Sequence, residues 1–240
     1  MTTAIGVSLG AATGLVVLSA LDFCSARLPG WLAIVWRIPL DELLVEVAEA
    51  DSLRAWRRRV VLGALGCASI WVLHRYGLNL RACAAMALCA TLAVLALVDL
   101  DTRLLPDLIT VPLLLVGLVC NGFGLFTTWR AAIIGAVLAW TVLMIFHWCA
   151  RLFAGPAEAL GQGDAKLLAA IGAWLGVQAA FDALLVACLT ATATVVLVRL
   201  LPGCGRGRLI AFGPYLAIGG VAALMTWPYA LFDVSWMASL

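Results

Sequence analysis

Charge is what this sequence has least of. Asp, Glu, Lys and Arg together make up 12% of its 240 residues, against about a quarter in a soluble globular domain, while 65% of the residues are apolar. Water is thereby excluded as the solvent for most of the chain, and a lipid bilayer is expected instead. The net charge of +2 gives no reason to expect nucleic acid or a strongly acidic partner. Short strands of alternating polarity are lacking, which argues against a transmembrane barrel. No repeat, low-complexity tract or separate soluble domain is visible. Met1-Thr2-Thr3 lacks the basic start of a secretory signal, and no small-residue cleavage pattern closes the first apolar segment before Asp22. That segment is expected to be a retained span. Also missing is any CxxC pair among Cys24, Cys67, Cys83, Cys89, Cys120, Cys149, Cys188 and Cys204. Most of these lie inside apolar spans and are expected to be small buried apolar residues, with Cys204 set apart in a Gly-rich loop.

What is present is a series of apolar stretches, each about 15 to 24 residues long, where about 20 residues cross the hydrocarbon core as a helix. They predict spans near 4–21, 60–73, 82–98, 108–126, 131–150, 167–181, 183–198 and 209–232. The expected fold is an all-α polytopic membrane protein, a bundle of about eight transmembrane helices in a single membrane domain. Several spans are short, which fits packing within protein or ends that open to water.

The basic residues are distributed unevenly about these spans. With the N-terminus outside, Arg27, Arg37, Arg54, Arg57, Arg58, Arg59, Arg103, Arg151, Lys166, Arg199, Arg206 and Arg208 fall on the cytoplasmic side. Only Arg75, Arg81 and Arg130 fall opposite, so the positive-inside rule predicts both termini periplasmic. Trp71, Trp129, Trp148 and Trp227 lie near expected span ends, as interfacial anchors do. The one sizeable polar region, 22–59, reads as a cytoplasmic connector. From Leu40 it has the pattern of an amphipathic surface helix carrying Asp41, Glu42, Glu46, Glu49 and Asp51 ahead of the Arg54 to Arg59 cluster.

Acidic groups abutting long apolar runs are costly and call for a reason. Two clusters qualify. One is Asp99-Leu100-Asp101-Thr102-Arg103-Leu104-Leu105-Pro106-Asp107, and the other is Gly161-Gln162-Gly163-Asp164-Ala165-Lys166. In the expected topology both lie at the cytoplasmic face on different helices, as cooperating carboxylates require. Peptide hydrolysis by two aspartates needs one ionised to activate water and one protonated to assist at the carbonyl, and repulsion at close range produces that unequal sharing. Gly161 and Gly163 would add flexibility and let an extended substrate backbone approach Asp164. The competing readings are a pair of polar loops with helix-capping aspartates and a proton-coupled transporter. A transporter would show interrupted, repeated spans, which are not apparent.

In conjunction, the clusters resemble the prepilin peptidase (type IV leader peptidase) family of GxGD intramembrane aspartyl proteases. Asp99 stands seven residues before the proline of Leu105-Pro106-Asp107. The string Gly161-Gln162-Gly163-Asp164-Ala165-Lys166-Leu167-Leu168 and its continuation Gly172-Ala173-Trp174-Leu175-Gly176 are also similar to the family, as is Ala211-Phe212-Gly213-Pro214-Tyr215-Leu216-Ala217. Ser19-Ala20-Leu21-Asp22-Phe23 leading to Arg27-Leu28-Pro29 resembles its first-span exit more loosely.

The resemblance implies Asp99 and Asp164 as the catalytic pair, with Asp101 the competitor for the first position. Gly161, Gly163, Asp101, Pro106, Asp107 and Lys166 are expected to shape the loops or contact substrate. Lys166 lies off the helical face of Asp164 and takes no proton-transfer role. Arg103 either approaches Asp99, should the helix continue, or snorkels to the surface. The implied substrate is the leader and hydrophobic helix of a type IV prepilin or type II secretion pseudopilin, cut after glycine at the cytoplasmic face of a bacterial inner membrane. Another GxGD protease, preflagellin- or presenilin-like, is the alternative within hydrolases, but the Leu105-Pro106-Asp107 and Phe212-Gly213-Pro214 segments favour prepilin peptidase.

Proteolysis so read needs no cofactor. Larger members of the family also N-methylate the new terminus with S-adenosylmethionine and carry a two-pair CxxC zinc motif in the first cytoplasmic loop. Residues 22–59 contain only Cys24, so a tetra-thiolate site has no ligands there. Leader cleavage is therefore expected to withstand strong zinc chelation. Reversible loss of activity, restored specifically by zinc, would count against this reading.

Overall fold

The computed structural model describes residues 51–153, 161–200 and 211–228. Among these residues all regular structure is helical: α1 Asp51–Tyr76, α2 Leu80–Thr102, α3 Asp107–Gly122, α4 Trp129–Phe153, α5 Gln162–Leu175, α6 Val177–Leu200 and α7 Gly213–Thr226. Of these, α2, α4 and α6 are long and apolar enough to cross a membrane. The expected span 4–21, the amphipathic segment from Leu40, Cys24 and Cys204 lie outside the described residues. The chain divides into two compact units, Met1–Leu104 and Leu105–Leu240.

In the first unit α1 packs against α2. The helix begins at Asp51, so the Arg57 to Arg59 run belongs to α1 and precedes its apolar part within one continuous helix. Leu65, Ala68 and Val72, spaced three and four apart, form its buried stripe. Gly77, at a φ of 72°, ends it. Asn79 joins the two helices: its side-chain oxygen accepts from Ala82 N–H at 2.8 Å, and its side-chain nitrogen donates to Tyr76 carbonyl at 2.8 Å. One amide therefore satisfies an orphan donor of α2 and an orphan acceptor of α1.

The second unit is built around α5, which packs on α3, α4, α6 and α7. Eleven of its fourteen residues are buried. At 1.5 Å per residue α5 is roughly 21 Å long, short of the roughly 30 Å of a hydrocarbon core. An enclosed helix of that length is tolerated because its ends meet protein polar groups in place of lipid. Close approach comes from small residues. A Cβ on Gly135 of α4 would stand 2.8 Å from the Gly172 carbonyl oxygen of α5, and one on Gly172 would stand 2.5 Å from that of Gly135.

The break after α5 differs from the expected one. Spans near 167–181 and 183–198 put it at Asp182, whereas the helix ends at Leu175 and α6 starts at Val177. The turn is made by Gly176 alone, at a φ of 88°, a conformation open to glycine and costly for other residues. Asp182 is inside α6 and 2% exposed. Hydropathy did not register the junction because a one-residue turn leaves the apolar run intact.

Turning so sharply strands the last carbonyls of α5, and Asn121 at the end of α3 takes them up. Its side-chain nitrogen donates to the carbonyls of Ala173 and Trp174, both at 2.8 Å. Its side-chain oxygen accepts from Phe126 N–H at 3.1 Å and Thr127 N–H at 3.0 Å, folding the α3–α4 loop onto the same point. All four hydrogen-bonding positions of this amide are used. Beside it, Trp174 Nε1 donates to the Leu113 carbonyl at 2.7 Å.

Outward faces are apolar: Leu115 and Val119 on α3, Phe146 on α4, and Leu189 and Leu197 on α6 are all exposed. The cysteines correct the expectation of burial. Among the described ones Cys89 is buried and Cys120 half-buried, whereas Cys67, Cys83, Cys149 and Cys188 are exposed. An apolar residue needs no burial in protein where the surrounding solvent is itself apolar.

Asn121→Leu keeps the volume and removes four hydrogen bonds. With an unsatisfied buried group costing about 1–3 kcal/mol, the thermal midpoint in detergent should fall by roughly 5–10 °C. A midpoint unchanged from wild type would show that the amide does not hold the end of α5.

Candidate active site

Asp99 extends a buried stripe. Ala85, Leu88, Leu92 and Leu95 of α2 recur at intervals of three and four and are fully buried; Asp99 and Thr102 are the next two positions, 5% and 3% exposed. Asp101, two residues on, turns to another face and is half-buried. The helix stops at Thr102, where the left-handed Arg103 (φ 53°) donates its N–H to the Asp99 carbonyl at 2.8 Å. The Thr102 hydroxyl donates to the Val98 carbonyl at 2.8 Å and meets Leu104 N–H at 3.3 Å. Because the helix does not continue through Arg103, the condition for that residue to stack back over Asp99 as a helical neighbour is absent.

In the second unit the start of α3 and the start of α5 come together. Pro106 is buried at the N-cap of α3, its carbonyl receiving Ile109 N–H at 3.0 Å and Thr110 N–H at 3.1 Å. Asp107 opens the helix, with its side chain 58% exposed. Lys166 Nζ lies 2.6 Å from each carboxylate oxygen of Asp107. Asp164, in the first turn of α5, is 6% exposed, and its N–H donates to the Gly161 carbonyl at 3.2 Å.

The two glycines are accounted for by space. Gly161 has φ −62° and ψ 136°, which any residue adopts, and a Cβ there would come within 3.2 Å of Asp164 Oδ2. Gly163 is already helical, and a Cβ on it would stand 2.7 Å from Leu105 Cβ. Pro106, Asp107, Gly161, Gly163, Asp164 and Lys166 thus form one local assembly, and Asp99 and Asp101 belong to the other unit. Among the described residues no group of three His, Cys, Asp or Glu side chains is arranged to hold a metal ion. The chemistry on offer is that of carboxyl groups shielded from water.

The model of the type IV leader peptidase family matches residues 86–196, which include both aspartate clusters. A prepilin leader peptidase/N-methyltransferase of Pseudomonas aeruginosa is 35% identical over 210 residues, covering 86% of this chain and 71% of the relative. The chain belongs to the type IV leader peptidase family.

Proteins of the same description from Dickeya chrysanthemi and Burkholderia pseudomallei are 37% and 39% identical over 194 and 166 residues. These alignments cover 80% and 67% of this chain, and 61% and 52% of the relatives. The chain thus spans about half to three fifths of the length of these two type IV leader peptidases. No solved structure matches it.

Several buried polar residues of this family member lie outside the motifs, among them Asn121, His147 and Asp182. Each interrupts an apolar run, and that is the signal that could have found them. His147 continues the buried stripe of α4 through Ala132, Ala136, Ala139 and Leu143. Asp182 was masked by being read as a span boundary.

Proposed function

We propose that the chain is a prepilin leader peptidase in which Asp99 and Asp164 form the catalytic pair. The observation that carries this is the burial of both carboxyl groups at helix ends, Asp99 5% and Asp164 6% exposed, combined with a short tether. Asp99 is followed six residues later by Leu105, whose side chain rests against Gly163, the neighbour of Asp164. In the proposed reaction the ionised aspartate takes a proton from water as its oxygen adds to the scissile carbonyl. The protonated aspartate gives its proton to the carbonyl oxygen. As the tetrahedral adduct collapses and the C–N bond breaks, the first aspartate passes the proton it took from water to the leaving nitrogen, and the second recovers its proton from a hydroxyl of the adduct as the new carboxyl group forms. The half-exposed Asp101 lacks the shielding that separates the two protonation states and serves to shape the loop.

The substrate is the leader of a type IV prepilin or type II secretion pseudopilin, cut after glycine, with its hydrophobic helix in the lipid bilayer beside the protein. The relatives' description as prepilin leader peptidases supports this. The setting is a bacterial inner membrane, with about eight helices, periplasmic termini and the site facing the cytoplasm. The apolar outer faces and the distribution of Arg and Lys support that topology.

The relatives' names also carry N-methyltransferase, an activity that needs bound S-adenosylmethionine. Arg27, Pro29 and the acidic side chains Asp41 to Glu49, which could build such a pocket, lie outside the described residues.

Asp99→Asn and Asp164→Asn should each lower leader cleavage by roughly 100-fold or more while leaving membrane insertion intact, since each removes half of an acid/base pair at nearly constant volume. Asp101→Asn should stay within a few-fold of wild type in the same gel assay. Activity in Asp99→Asn together with a dead Asp101→Asn would reverse the assignment. Mass spectrometry of a mature pilin made with this chain as the sole peptidase should show a cleaved terminus with little or no added methyl group, because 22–59 lacks the cysteine framework. Complete methylation would show that the loop supports the transferase without it.

A further inference from the structure

Lys166 is the only lysine in the sequence; the other fourteen of the fifteen basic Lys and Arg residues are arginines. It stands two residues after Asp164 and holds both carboxylate oxygens of Asp107 at 2.6 Å. An ammonium is a compact point charge, whereas a guanidinium is a longer planar fork. A contact this short between the starts of α3 and α5 suits the former.

The pair acts together with Leu105 against Gly163. Residues 163 and 166 are three apart and share one face of the first turn of α5. Leu105 meets that face at Gly163 and Asp107 meets it at Lys166, so it is pinned at two points to one short segment, by residues on either side of Pro106. The first turn of a helix has no preceding turn to hold it and frays most readily. With that face pinned, the turn is prevented from rotating, and Asp164, about 100° around the helix from Gly163, keeps one direction.

We infer that Asp107 and Lys166 are positioning residues: their ion pair, with Leu105 on Gly163, locks the first turn of α5 and so aims the Asp164 carboxyl. This inference rests on the proposed protease function. Exposed ion pairs add little to stability, typically 0–1 kcal/mol, so the consequence of losing this one falls on geometry, where a displacement of about 1 Å costs up to about 100-fold in rate.

The test compares Lys166→Met, Lys166→Arg, Asp107→Asn and the exchanged pair Asp107→Lys with Lys166→Asp, using purified protein and a pilin substrate. Lys166→Met and Asp107→Asn should each lower kcat about tenfold with KM within about twofold, and thermal midpoints should shift by no more than about 2 °C. Lys166→Arg should fall between Met and wild type, and the exchanged pair should recover most of kcat. In wild type, raising salt to about 1 M should lower kcat toward the Lys166→Met value, because an exposed pair is screened. It should leave Lys166→Met unchanged. Since Lys166 is the sole lysine, acylation by an amine reagent, read by mass spectrometry at that residue, reports the pair without any substrate. Acylation should be several-fold faster in Asp107→Asn.

A raised KM at unchanged kcat would assign Lys166 to substrate binding and overturn the inference, as would unaltered kinetics or equal acylation rates in wild type and Asp107→Asn. Failure of the exchanged pair to recover activity would overturn it as well. A wild-type chain that cleaves no pilin refutes the proposed function itself, an outcome distinct from an active enzyme indifferent to these substitutions.

Discussion

Everything in the second unit depends on enclosing α5, a fourteen-residue helix too short to span a bilayer. In hydrocarbon its terminal carbonyls would have no partner, at a cost of several kcal/mol each. Asn121 answers this constraint from another helix, and Gly176 turns the chain at once into α6. The Gly135 and Gly172 contact lets α4 approach within backbone distance, a packing mode suited to membranes, where apolar area alone does not drive helices together.

The same enclosure gives the candidate site its character. One end of α5 is held by the Asn121 amide and by Trp174 on Leu113; at the other end Asp164 is withdrawn from water. A carboxyl group so placed is carried by a rigid element with its neighbours already in position, and preorganisation of this kind is what acid/base chemistry requires. The long α6, by contrast, has much of its later half exposed as apolar surface. The unit therefore combines a tightly packed centre with an outer face suited to lipid.

Much of this was legible in the residues. Apolar composition and run length led to helices in a bilayer, and all described regular structure is helical. The spacing of Asp99 to Pro106 and the Gly161 to Asp164 string led to the family. Less legible was what each motif residue does. Gly163, expected to add flexibility beside Asp164, also leaves space for Leu105; Asp107 and Lys166, expected to shape loops or contact substrate, form a pair.

Local order sets what sequence alone determined here: helix against strand, the apolar solvent and the two acidic clusters all follow from residues within a few turns of one another. Tertiary structure decided the rest. Asn121 meets Ala173 and Trp174 across 52 and 53 residues, and Lys166 meets Asp107 across 59. The break at Gly176 and the burial of Asp182 likewise depend on which helices pack beside them. Periodicity reports which face of a helix is apolar, but the partner of a polar group is chosen by packing, because only there does leaving it unpaired carry its full desolvation cost.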